Sequence, residues 1–120
     1  MKYIMTLLIA ATVMMVSCST SKEVTISLTN TQSKAVAFDG HYQVNTDAEV
    51  PMTGTTPHEY VETLSKGDQL IGQIWKSDST NITDTLHFTV LIDGEEQTSL
   101  TKDLYIPTQL GGIQFQVSVQ

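Results

Sequence analysis

Three histidines, His41, His58 and His87, together with 13 Asp and Glu residues, are the side chains of this 120-residue chain with the means to do acid–base or metal chemistry. Asp39 and His41 lie two apart, the spacing that puts both side chains on one face of a strand. With His87 or His58 brought alongside, they would supply three ligands to a metal such as zinc. A pair of this kind on a strand is ordinarily part of a solvated face, and no metal or cofactor is expected. Glu59, Glu62, Glu95 and Glu96 include possible carboxylate pairs of the type that hydrolyse glycosidic bonds, although exposed acidic strand ends explain them better. Nucleophilic catalysis needs a Ser, Cys or Thr held beside a base by a third group, and no such constellation is legible. No catalytic residue is assigned, and the chain is read as a non-enzyme.

The single cysteine, Cys18, does carry chemistry, because of what precedes it. Lys2 supplies a short positive start, and Ile4 to Val16 is an apolar run broken only by Thr6 and Thr12. That length suits a secretory signal and falls short of the roughly 20 apolar residues of a membrane-spanning helix. The run ends in Met15-Val16-Ser17-Cys18, which resembles the lipobox of bacterial lipoproteins, with Met15 in place of the commoner Leu. The resemblance implies a diacylglycerol thioether on the Cys18 thiol, cleavage before it, and palmitate-type acylation of the new amino terminus. It divides the chain into residues 1–17 as signal peptide, 18–22 as lipidated Cys and tether, and 23–120 as the folded domain. Several acyl chains hold a protein to a membrane essentially permanently, so the domain sits close to a lipid surface in the bacterial cell envelope. Ser19 after the lipidated residue, where lipoprotein sorting rules place Asp for retention, favours the outer over the inner membrane.

Two further short motifs bear on modification. Asp78-Ser79-Thr80 and Asp84-Thr85-Leu86 resemble the Asp-Ser/Thr-apolar pattern that some bacteria glycosylate on exported proteins, which marks Ser79 and Thr85 as candidate sites. Asn81-Ile82-Thr83 is a eukaryotic-type sequon and carries no weight beside a lipobox.

Without residues 1–17 the chain keeps five lysines, no arginine and 13 carboxylates, a net charge of −8. Such a surface repels nucleic acid and anionic lipid, and the missing guanidinium removes the planar fork that reads phosphates. Nucleic acid is therefore excluded as a partner. With its one cysteine spent on lipid, the domain must fold on its hydrophobic core alone.

The positioning elements are strands. Val24, Ile26 and Leu28 alternate with Thr25, Ser27 and Thr29, a period of two. Val36, Phe38, Tyr42 and Val44 share a face with Gly40, and the other face carries Asp39, His41 and Gln43. That segregation predicts one long strand through Asp39-Gly40 in place of a hairpin, with a bend or bulge at the glycine. Asn45 to Pro57 reads as turns around a short extended piece at Val50 to Thr53, which Pro51 confines to a sheet edge. Strands follow at His58 to Leu64, Leu70 to Lys76 and Leu86 to Ile92. Asp93-Gly94 turns a hairpin into Glu95 to Lys102, and Ile113 to Val119 closes the chain. The predicted core holds Phe38, Tyr42, Trp75, Phe88, Val90, Phe115 and Val117, with His41 and Gln43 comparatively exposed. Seven or eight strands without an amphipathic helix predict a single antiparallel β-sandwich, immunoglobulin-like in architecture, with a small β-barrel as the alternative.

Phe38-x-Gly40-x-Tyr42, the strand end Trp75-Lys76, Leu91-Ile92-Asp93-Gly94 and the closing Gly112-Ile113-x-Phe115 together resemble the soluble domain of MmpS-type accessory proteins of bacterial lipid exporters. The uncleaved helix and paired cysteines of that family have no counterpart, so the resemblance implies the fold and not transport. The expected function is that of a membrane-anchored envelope lipoprotein binding a protein or glycan without turnover. Accessory subunit of an envelope transporter and hydrolase are the alternatives. The longest irregular stretches, Asn45 to Pro57 and Ser77 to Thr83, are the expected contact surfaces.

Overall fold

The computed structural model describes residues 21–77, 83–107 and 111–119. Ten strand segments occur in it: β1 (Ser21–Thr29), β2 (Ala37–Val44), β3 (Val50–Pro51), β4 (Gly54–Thr55), β5 (His58–Ser65), β6 (Gln69–Lys76), β7 (Leu86–Ile92), β8 (Glu95–Glu96), β9 (Lys102–Leu104) and β10 (Ile113–Ser118), with a 3-10 turn at Thr98–Leu100. Every pairing is antiparallel. The first sheet runs β5-β1-β7, with β8 and β9 sharing the far side of β7; the second runs β10-β6-β2, with β3 and β4 sharing the far side of β2. Ten segments thus fill eight strand positions in two open sheets, the sandwich that the strand spacing predicts and not a closed barrel.

Period-two patterning fixes which side of each strand faces the partner sheet. Val24, Ile26 and Leu28 of β1, Phe38 and Tyr42 of β2, Leu86, Phe88 and Val90 of β7, and Phe115 and Val117 of β10 are all buried. One slip of register would expose each of these rows, so the alternation specifies the pairing. The strand through Asp39-Gly40 is continuous. Its register to β6 runs from Phe38 opposite Lys76 to Val44 opposite Leu70 without interruption, so the bend or bulge expected at Gly40 does not interrupt the ladder. A side chain there has no room, because a Cβ at Gly40 would stand 2.1 Å from the Gln73 carbonyl oxygen. Asp93 and Gly94 turn the predicted hairpin, both with positive φ, at 50° and 81°. Its return strand is shorter than expected: Leu91 pairs with Glu96 but Leu86 with Leu104, and the 3-10 turn absorbs the extra residues between β8 and β9. At the other end of the chain, Ser21 and Lys22 are already paired with Ser65 and Leu64. They belong to the sheet and not to a tether.

Six of the seven predicted core residues are buried, but Trp75, expected among them, is half-buried on the outer face of the second sheet. On β6 the inward positions are Leu70, Gly72, Ile74 and Lys76, and the outward ones Gln69, Ile71, Gln73 and Trp75. Lys76 is completely buried, its stem packed as an apolar side chain while its Nζ donates a long, 3.5 Å hydrogen bond to the Tyr105 carbonyl.

Candidate functional site

The side chains with chemical capacity are distributed over three separate places. His41 lies on the outer face of the second sheet, 3.6 Å from Glu49. His87 lies on the outer face of the first sheet, with its Nδ1 2.6 Å from Asp103. His58 packs against Tyr60 with ring centroids 4.5 Å apart and planes inclined at 44°, and its ring centroid lies 5.8 Å from that of Phe38. The topology therefore does not gather Asp39, His41, His58 and His87 around one point, and among the described residues no group of three or more His, Cys, Asp or Glu is placed to hold a metal ion.

The carboxylate pairs are likewise dispersed. Glu59 faces outward from β5, Glu95 and Glu96 form β8, and Glu62 accepts a short hydrogen bond from the Tyr42 hydroxyl. A cleft of about 210 Å³ between the β2–β3 turn and the end of β5 does bring Asp47, Glu62 and Asp68 to its walls. Two of these acids are committed to structure. Asp68 accepts from the Asn45 side chain and from the Ser65 backbone N–H, contacts that hold its carboxyl below the usual range. A general acid needs the opposite shift. Glu62 serves Tyr42, whose phenol burial pushes up, assisted by that hydrogen bond.

Cys18 and Ser79 lie outside the described residues, as does most of the Ser77 to Thr83 loop. Thr85 precedes β7, partly exposed, and its carbonyl accepts from Asn30. The Asn45 to Pro57 segment is less irregular than expected: β3 and β4 pair along β2 in a single register, His41 opposite Pro51 and Phe38 opposite Gly54. Pro51 occupies an edge, as its missing N–H requires.

The outer face of the second sheet is different in kind. Its cross-strand rows follow from the register. Trp75 lies opposite Asp39; Gln73 lies between Gln114 on β10 and His41 on β2; Ile71 lies between Gln116 and Gln43. Ile71 is 51% exposed. The Asp39 carboxylate is held by the Gly40 N–H at 2.8 Å and the Thr53 hydroxyl at 3.0 Å. By contrast, the amides of Gln73, Gln114 and Gln116 and the indole N–H of Trp75 make no hydrogen bond to any described residue. No lysine occupies these outward rows. The face is an apolar ring beside an array of free amides, which offer both donors and acceptors without charge. Reading the sequence does not group these glutamines. The signal that unites them is the recurrence of Gln at alternate positions of two strands, Gln69-x-x-x-Gln73 and Gln114-x-Gln116, once those strands are known to be neighbours.

Compared with protein-family models, with curated proteins and with solved structures, the chain matches none.

Proposed function

We propose that this protein is a membrane-anchored lipoprotein of the bacterial envelope that binds a neutral glycan on the outer face of its second sheet, without turnover. The observation that carries the reading is the half-exposed Trp75 beside the unpartnered amides of Gln73, Gln114 and Gln116. An indole buries much area and stacks on the C–H face of a pyranose ring. Glutamine amides, each a double donor and an acceptor, match the donor–acceptor character of vicinal hydroxyls. The ligand class follows from charge: the outward rows carry no lysine or arginine and the chain carries −7, so uronates and phosphates are disfavoured. Anchoring through Cys18 keeps the domain within a few residues of the membrane, within reach of envelope polysaccharides.

The chain has one tryptophan, which makes the test direct. Addition of neutral hexose polysaccharides to the full chain in detergent should shift the Trp75 emission, and uronate-bearing polymers should not. In affinity electrophoresis, Trp75→Ala and Gln73→Ala should each weaken retention by about tenfold or more, as loss of a central contact does. Unaltered emission with every neutral polymer, or full retention of Trp75→Ala, would overturn the proposal.

A further inference from the structure

Each sheet ends in two edge strands, and three of the four edges carry devices against pairing with another chain. Strand β5 bears Glu59 and Glu62. The β3–β4 edge is interrupted and contains Pro51. The β8–β9 edge is broken by the 3-10 turn and bears Glu95, Glu96, Lys102 and Asp103. Charges, prolines and interruptions are the means by which edges are blunted. Strand β10 has none of them: from Gly112 to Val119 the sequence is Gly-Ile-Gln-Phe-Gln-Val-Ser-Val, uncharged, without proline and in unbroken register with β6. Among the described residues its other side has no neighbour.

From this contrast we infer that β10 pairs with β10 of a second copy of this chain, antiparallel about a two-fold axis at Phe115, joining the two second sheets into one. Two observations select a second copy over another strand. The first is backbone direction. Val119 donates to Asp68 and accepts from Gly67, so Val119, Val117, Phe115 and Ile113 direct their N–H and C=O groups toward β6. Gln114, Gln116 and Ser118 direct theirs away, since the groups alternate along a strand. A two-fold axis at Phe115 then sets Gln114 of one copy opposite Gln116 of the other, and these are residues whose free groups can exchange both hydrogen bonds. The second observation is the symmetry of the side chains. Ile-Gln-Phe-Gln-Val reads alike in both directions by type, so the same axis sets Phe115 opposite itself and Ile113 opposite Val117 on the inner face, and Gln opposite Gln on the outer. An isologous contact requires this self-complementarity, and a charge-free strand is where a chain of net charge −7 meets its copy at least electrostatic cost. The two Trp75 faces would then share one eight-position sheet, about 25 Å apart from strand spacing and rise.

The test has two arms on the full chain in detergent. In sedimentation velocity over a concentration series, wild type should dimerise, and Gln116→Lys, an outward edge charge that enters the contact twice, should weaken self-association by about tenfold or more. Far-ultraviolet circular dichroism and thermal melts verify that the variant remains folded. In a Cys18→Ser background, a chain carrying Gln114→Cys mixed with one carrying Gln116→Cys should form a disulfide on mild oxidation, because directly opposed Cα atoms stand about 5.5 Å apart, and neither chain should be joined to its own kind, because the diagonal pair lies beyond the roughly 7 Å that a disulfide spans. Cross-linking confined to the mixture fixes the axis at Phe115. A monomer at all concentrations, a dimer indifferent to Gln116→Lys, or equal cross-linking in mixed and unmixed samples would each overturn the inference. Glycan binding is read independently by Trp75 emission, so failure of either proposal is distinguishable from failure of the other.

Discussion

The ring of Phe115 lies across Gly72, its directly opposed residue on β6: a Cβ built on Gly72 would stand 2.3 Å from the ring's Cζ and under 3 Å from two further ring carbons. The glycine is the floor on which the ring rests, and Phe115 supplies the apolar cover that Gly72 lacks. Phe88 meets the same ring from the opposing sheet, with centroids 4.8 Å apart and planes inclined at 47°. The three residues form a column through the sandwich, and the column explains why an unsubstituted backbone position is tolerated in a central strand.

Alanine at either inward glycine should destabilise, and in a fixed order. At Gly72 the obstacle is a side chain, which relieves the clash by tilting at a cost of about 1–3 kcal/mol. At Gly40 the obstacles are the Gln73 carbonyl oxygen and the Ile74 Cα, backbone atoms that move only if β2 and β6 separate. Urea titrations should therefore give Gly40→Ala the larger loss. Equal losses, or a reversed order, would contradict the close approach described.

β6 also shows how far sequence carries the fold and where it stops. The period of two in β1, β2, β7 and β10 identifies their buried faces from residue types alone, and the Asp93-Gly94 hairpin is equally legible. In β6 the markers mislead, because the inward row contains Gly72 and Lys76 while the outward row contains Ile71 and Trp75. Parity there is decided by partners on other strands: Phe115 fills the space above Gly72, and the Lys76 stem substitutes for an apolar side chain beneath Tyr105. A single strand's pattern does not contain that information. The candidate glycan face was hidden for the same reason, since Trp75 read as core and the glutamines of β6 and β10 become neighbours only through the register.

Because Trp75 faces outward and Phe88 inward, their truncations should separate function from stability. Phe88→Ala removes a fully buried ring and should cost about 3–5 kcal/mol. Trp75→Ala should cost less than about 2 kcal/mol, in the range of partly exposed positions away from the core. Guanidinium unfolding of both variants provides the comparison, and a Trp75→Ala loss matching that of Phe88→Ala would return Trp75 to the core.

The lipoprotein reading makes its own prediction at Cys18. Cys18→Ala should abolish incorporation of labelled palmitate and leave the precursor uncleaved or mis-cleaved. Equal palmitate incorporation by variant and wild type would exclude lipid at this residue, whatever the fate of the sandwich.

Tyr42 and Glu62 tie the two sheets together at the β5 side, and the bond should be visible as a pH dependence. Tyr42 is 2% exposed, and its hydroxyl donates to the Glu62 carboxylate. Burial first, then that hydrogen bond and the carboxylate's charge, raise the phenol above its ordinary value near 10. A raised folded-state pKa means that the native protein keeps a proton which the unfolded chain releases as pH climbs past 10. The corresponding stability is present in full below the unfolded tyrosine's pKa and is lost progressively as pH rises from there toward the folded value. Tyr42→Phe keeps the ring, deletes the donor and should cost about 1–2 kcal/mol at neutral pH, as loss of a hydrogen bond to a charged group does. The gap between variant and wild type should then narrow above about pH 10, because only wild type carries the Tyr42 proton. Tyr60, whose phenol burial also pushes up, is present in both proteins and cancels from the difference. Urea unfolding at neutral and alkaline pH measures that gap directly, and a gap that stays constant through the alkaline range would show that Tyr42 titrates alike in the folded and unfolded chains.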